Sequence, residues 1–293
     1  MKIGNVLSLF DGISCGQIAL NKSGISYDNY YASEVDKHVI KATQHNYPNT
    51  KQIGSITEVK GSDLPKIDLL IGGSSCQNFS FAGNRVGMST LDGVKITSLE
   101  QYLELKNNGF EFKGESYLFW EYIRLLNEVK PRYFLLENVV MKKEWEDVIT
   151  EALGVKPIKI NSKLVSAQNR PRLYWTNIPN VIEPEDKNIK LIDILENTIF
   201  DKEPYEEKYR SNKALNYKSN KFNTLRASAG SKTRGIGICN DEGWWRKLTP
   251  VECELLQNVP VNYTDSVSDS QRYKMLGNGW TIDVILHIFS YIK

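Results

Sequence analysis

The sequence has few residues suited to holding a metal. Its four cysteines, Cys15, Cys76, Cys239 and Cys253, form no C-x-x-C pair, and its three histidines, His38, His45 and His287, show no zinc spacing with them. No metal is expected. So few cysteines in a chain of 293 residues also exclude a disulfide framework. No apolar run approaches the roughly 20 residues a membrane helix needs, so no membrane partner is expected. The opening MKIGNVLSLF lacks a signal-peptide core and cleavage site, which makes a cytoplasmic protein the expectation. There is no internal repeat and no low-complexity tract. The net charge is only +2 and argues neither for nor against nucleic acid.

What remains is the profile of a globular protein, 41% hydrophobic and 25% charged, long enough for one large domain and a smaller one. Short apolar runs (NVLSLF at Asn5–Phe10, YYAS, IDLLIGG, YFLLEN at Tyr133–Asn138, and LYWTNI) are bounded by turn residues. Helical spacing fills the gaps from about Gly16 to Lys22, in VDKHVIKATQHNY, and in LFWEYIRLLNEV (Leu118–Val129), which stops before Pro131. The alternation predicts a doubly wound α/β fold, a mainly parallel sheet with helices on both faces.

The alternation stops near Pro179. Val181 to Glu207 carries nine Asp/Glu against three Lys/Arg, and Lys208 to Lys247 carries ten Lys/Arg against two Asp/Glu. The near-neutral total hides this asymmetry. The basic half also holds small and aromatic residues. It reads as a surface that follows phosphates, with a solvated loop face as the bland alternative.

Four motifs carry chemistry. FDGISCG (Phe10–Gly16) joins a strand to a helix, where glycine lets backbone approach a ligand. It has G-x-x-x-G and not the G-x-G-x-x-G of a pyrophosphate cradle. Glu34, ending the next strand, suits ribose hydroxyls. GGSSCQNFSFAG places Cys76 at the carboxyl end of a strand, where open α/β sheets keep their sites, and the long connection to Glu115 reads as functional. LLENV puts Glu137 on the same rim. AQNRPRLYW carries Arg170 and Arg172 two apart, on one face of an extended segment. A thiol, a carboxylate and two guanidiniums on one rim suggest covalent catalysis, and the missing histidine partner argues against a papain-type protease.

The ordered set resembles the DNA cytosine-C5 methyltransferase family. FDGISCG resembles its first cofactor motif and GGSSCQNFSFAG its catalytic Pro-Cys-Gln loop. ENV, QNRPR, RKLTPVECELLQNVP (Arg246–Pro260) and GNGW (Gly277–Trp280) resemble later motifs, in order. LFDGI and ASEV are closest to phage and bacterial orphan enzymes and to de novo-like variants.

The resemblance implies an S-adenosylmethionine-dependent methyltransferase sheet at residues 1–179 plus 263–293, and a small target-recognition domain at 180–262. It implies a monomer acting on double-stranded DNA. The target cytosine leaves the duplex, Cys76 attacks C6, Glu137 binds the pyrimidine N3 and amino group, and C5 takes the methyl. Gln77 sits near the flipped nucleotide, while Arg172 and Arg170 position loop and base. Phe10, Asp11, Gly12, Ile13, Glu34, Val35, Ser55, Ile56, Asn278 and Trp280 hold S-adenosylmethionine. Ser80, Arg85, Thr224, Arg226, Ser228, Lys232 and Arg234 are the candidates for DNA contact. An enzyme acting on a transfer-RNA cytosine uses the same catalytic set and is the rival reading.

Three positions depart from the family pattern. Ser14 replaces a second glycine. GSI (Gly54–Ile56) replaces Gly-Asp-Ile, removing a carboxylate from the adenine side. Ser75 replaces the proline before the nucleophile, which frees the backbone there and makes a weakly active or inactive relative the third reading.

Overall fold

The computed structural model describes residues 1–74, 87–200, 214–230 and 237–293, and within these the side chains of all but residues 229 and 230. Seven strands build the main sheet: β1 (Asn5–Leu9), β2 (Tyr30–Ser33), β3 (Lys51–Gln52), β4 (Ile67–Gly72), β5 (Tyr133–Val139), β6 (Ile158–Asn161) and β7 (Pro171–Thr176). Their order is β3-β2-β1-β4-β5-β7-β6. The strands from β3 to β5 run parallel, while β7 is antiparallel to both β5 and β6.

Period-two patterning of apolar strands explains the layers. Leu69, Ile71 and Leu135 enter one hydrophobic cluster, and Leu70, Phe134 and Leu136 enter the other. The first cluster is covered by α1 (Cys15–Lys22), α2 (Lys37–Asn46) and α8 (Ile282–Phe289). The second is covered by α3 (Leu99–Asn107), α4 (Phe119–Val129) and α5 (Lys143–Leu153), with Trp120 and Trp145 buried there. The doubly wound α/β expectation therefore holds, with β7 as the reversed strand.

Local signals set the helix ends. Asp36 caps α2 by accepting from the His38 N–H. α4 stops at Lys130, whose φ is +42°, just before Pro131. α6 (Pro250–Leu256) opens with a capping box in which Thr249 and Glu252 exchange hydrogen bonds, with Pro250 in the first turn.

The C-terminus folds back onto the first half. Lys22 on α1 pairs with Asp283 on α8 at 2.5 Å, and Tyr133 and Arg132 donate to the Lys293 carbonyl. A separate three-stranded sheet, β8 (Leu215–Asn216), β9 (Gly237–Cys239) and β10 (Trp245–Lys247), has the order β10-β9-β8. Among the described residues no helix is long and apolar enough to cross a membrane, and no group of three His, Cys, Asp or Glu could hold a metal ion.

Candidate active site

A cavity of about 360 Å³ opens at the carboxyl ends of β1, β2, β4 and β5. That is within the range of small-molecule sites. Its walls come from distant parts of the sequence: Phe10 to Ile13, Glu34 to Asp36, Ser55 and Ile56, Gly73 and Ser74, Glu137, Arg170 and Arg172, and residues 277–280.

The turn after β1 is tightly wound. Phe10, Gly12 and Ser14 all take left-handed backbone angles, with φ of +55°, +58° and +58°. Such angles cost non-glycine residues about 1–2 kcal/mol each. Ser14 thus occupies a conformation that glycine would adopt freely. The turn is tied to β2 through Glu34: the Gly12 N–H donates to Oε2 at 3.0 Å, and the Val35 and Asp36 N–H groups donate to Oε1 at 2.7 and 2.9 Å. Oε2, with one of its two lone pairs engaged, can still accept a further bond. Val35, beside it, is 73% exposed, an apolar surface facing no protein partner.

Asp11 is buried on the same wall. Tyr30 donates its hydroxyl to Oδ1 at 2.9 Å, and the Ser8 and Ser14 side chains also lie against the carboxyl. Burial raises its pKa from the usual 3.8 to about 6, helped by the nearby negative Glu34. Ser55 and Ile56 line the cavity, and the Ser55 hydroxyl is shared with Thr57 at 2.8 Å. Arg124 holds this loop from below by donating to the carbonyls of Ile56 and Val59.

The opposite wall centres on Glu137 at the end of β5. The Arg172 Nε lies 2.9 Å from its Oε1, and the Trp280 indole donates to its Oε2 at 3.0 Å. Gly73 makes this approach possible, because a Cβ there would lie 2.8 Å from the indole nitrogen and 3.1 Å from Oε2. The next residue of β5, Asn138, donates to the carbonyl and hydroxyl of Ser74 at 3.3 and 3.0 Å. The end of β4, two residues before Cys76 in sequence, is thereby fastened beside Glu137.

Both arginines line the cavity, but their guanidinium groups have different partners. Arg172 lies within β7 and faces Glu137. Arg170 precedes the strand and is 4% exposed, and its guanidinium donates to the carbonyls of Leu225, Gly277 and Gly279.

Thr224 is half-buried, and its hydroxyl donates to the Asn169 carbonyl at 2.7 Å in an exposed contact. Arg226 and Ser228 are exposed. Cys76, Gln77, Ser80, Arg85, Lys232 and Arg234, together with Ser75, lie outside the described residues.

Sequence reading missed part of the cavity wall. Gln271, Lys274 and Met275 line it along with Asn278, from α7 (Asp269–Asn278). Their i, i+3, i+4, i+7 spacing is a helical stripe, a signal that was there to find. Glu115, Leu118 and Cys15 also line it. Burial pushes the Cys15 thiol up to about 12, so it is inert packing.

Known proteins share this architecture. The structure of the Entamoeba histolytica methyltransferase EhMeth superposes with a TM-score of 0.76 over 99% of this chain and 98% of its own, at 16% identity, a likeness of fold. The type II methyltransferase M1.ScrFI of Lactococcus lactis subsp. cremoris is 27% identical over 318 residues, spanning 96% of this chain and 75% of that protein. M.Bsp6I of Bacillus sp. (strain RFL6), also a type II methyltransferase, is 26% identical over 326 residues, spanning 97% and 96%. Residues 4–180 and 183–293 match the family model described as C-5 cytosine-specific DNA methylase. The chain belongs to the C-5 cytosine-specific DNA methylase family.

Proposed function

We propose that this chain methylates C5 of a cytosine flipped from duplex DNA, with Cys76 as nucleophile, Glu137 and Arg172 as the groups that hold the base, and S-adenosylmethionine as cofactor. The observation that carries the reading is Glu137. It stands at the end of an apolar strand, with one oxygen on Arg172 and the other on Trp280, and it opens onto the same cavity as the Glu34 wall.

The cavity suits a nucleoside-bearing cation. Glu34 Oε2 has a lone pair for a ribose hydroxyl, and Val35 and Phe10 offer apolar surface to a base. Asp11 lines the same cavity and brings a second carboxyl group to its wall. When bound, S-adenosylmethionine supplies the electrophilic methyl group that C5 accepts.

The chain's own residues do the rest. Cys76 adds to C6 as its thiolate, and once C5 has taken the methyl a base removes the C5 proton as the C6–sulfur bond breaks and Cys76 leaves as thiolate. Glu137 holds a proton against the pyrimidine N3 and accepts from the amino group, which offsets the negative charge that builds in the ring as C6 is attacked, a stabilisation worth most in a water-poor site. Arg172 and Trp280 fix the orientation of that carboxylate. Arg226 and Ser228 lie on the surface that would meet DNA, with Ser80, Arg85, Lys232 and Arg234 as further candidates and Gln77 beside the flipped base.

Residues from 180 form the target-recognition unit in this reading. It runs to 262, and Gln257 within it donates to the Leu276 and Gly279 carbonyls. A monomer in the cytoplasm completes the reading.

Bisulfite sequencing of DNA from cells expressing the protein tests it. Full methylation at one short sequence, lost in Cys76→Ala, is the expected result. Labelled methyl entering transfer RNA but not DNA would establish the rival substrate.

A further inference from the structure

Arg170 is the feature that the chemistry above leaves over. Its guanidinium donates to the Leu225 carbonyl at 2.8 Å, to Gly277 at 3.0 Å and to Gly279 at 2.9 Å. Leu225 belongs to the stretch that carries exposed Arg226. Gly277 and Gly279 belong to the cavity wall.

The two segments also touch directly. A Cβ on Gly277 would lie 2.2 Å from the Arg226 carbonyl carbon and 2.3 Å from the Ala227 nitrogen, so backbone rests on backbone. Buried glutamines hold each side of this seam. Gln168 accepts from the Leu225 N–H at 2.7 Å, Gln257 donates to the Leu276 carbonyl at 2.8 Å, and Gln168 donates to Gln257 at 3.2 Å.

We propose that Arg170 is a positioning residue that locks the 225–228 segment to the 277–280 cavity wall, so that DNA contact by the first strengthens cofactor binding by the second. The inference rests on the functional reading above. Three carbonyls from two segments converge on one planar group, and a lysine cannot reproduce that fork. A phosphate engaging Arg226 acts on the chain one residue from Leu225 and directly on the backbone beneath which Gly277 lies. Thermodynamic linkage makes the effect reciprocal.

Isothermal titration of the full chain with S-adenosylhomocysteine, alone and with a saturating duplex carrying the site mapped by bisulfite sequencing, tests this. In the wild type the duplex is expected to tighten binding at least five-fold. Arg170→Lys and Gly277→Ala are expected to bring that ratio within two-fold of one, while Glu151→Gln, at an exposed position on α5 outside the seam, keeps the wild-type ratio. Arg226→Ala, at an exposed position, is expected to lower the ratio without changing affinity for S-adenosylhomocysteine alone, whatever the folding of the buried variants.

A merely structural role would weaken both ligands independently and leave the ratio standing. A wild-type ratio of one, or an unchanged ratio in folded variants, overturns the inference while both ligands still bind. No binding of S-adenosylhomocysteine at all overturns the cofactor reading and this inference with it.

Discussion

The Trp280 indole donates to Glu137 Oε2 at 3.0 Å, joining the C-terminal wall of the cavity to the carboxylate at the end of β5. One residue thus lines the cavity and braces the carboxylate on its opposite wall. Trp280→Phe keeps the ring and removes the donor. A hydrogen bond to a carboxylate contributes about 1.5–3 kcal/mol, so kcat is expected to fall roughly ten-fold or more. The KM for cofactor should move much less. Steady-state kinetics with labelled cofactor read both, and an unchanged kcat would remove the indole from the mechanism.

Glu137→Gln keeps the shape but gives up the carboxyl group that can hold a proton against N3. Loss of one preorganised electrostatic partner costs about 10²–10³ in rate, and a comparable drop in single-turnover rate is expected here. Arg172→Lys should fall between this variant and wild type, because an ammonium does not reproduce the guanidinium fork. Binding of S-adenosylhomocysteine to Glu137→Gln should stay near wild type. A variant that loses cofactor affinity but keeps its single-turnover rate would contradict the assignment.

These residues differ in how far the sequence alone gives them away. Glu34 and Glu137 were legible because each carboxylate ends an apolar strand, where open sheets place their sites. Arg170 and Arg172 were half legible. Two-residue spacing implies a shared face only inside a strand, and β7 begins at Pro171, after Arg170. The Trp280–Glu137 bond spans 143 residues, and no local pattern encodes such a meeting. The reversal of β7 was equally hidden, since an apolar strand looks the same in either direction. The role of Gly73 emerges only once the indole is in place beside it.

Cysteine chemistry gives a sharp contrast. Burial pushes the Cys15 thiol up to about 12, carries Cys253 well above its usual range, and raises Cys239. None of these three supplies a thiolate at neutral pH. Incubation with a duplex containing 5-fluorocytosine and cofactor should therefore yield a covalent adduct in wild type and in Cys239→Ser, and none in Cys76→Ala. An adduct in Cys76→Ala would assign the nucleophile elsewhere.

Ser75 stands where the family keeps a proline. Serine leaves the backbone more freedom, at a cost on ordering of about 0.4–1 kcal/mol. Ser75→Pro is expected to turn over up to about five-fold faster, as measured by kcat under saturating DNA and cofactor. A variant no faster than wild type removes the entropic argument.

Asp11 sets a pH dependence whose sign is fixed. The unfolded chain releases this proton near 3.8, and the folded chain releases it near 6, chiefly because the carboxyl is buried. Between those values the folded state binds more protons, so stability falls as pH rises, and above about 6 the full penalty is present. Two pKa units correspond to roughly 3 kcal/mol. Asp11→Asn carries no charge into the buried site. Without cofactor it should be more stable than wild type at pH 7.5, by up to about that amount, and the advantage should vanish near pH 4. Urea titrations at the two pH values measure it. The same substitution should weaken S-adenosylhomocysteine binding at pH 7.5, because Asp11 lines the cavity proposed to hold that positively charged cofactor's product. An Asn variant that is both more stable and equally tight in binding would show that the buried charge serves no ligand. A variant that is weaker in binding but more stable would mark Asp11 as a site where stability is given up for cofactor recognition.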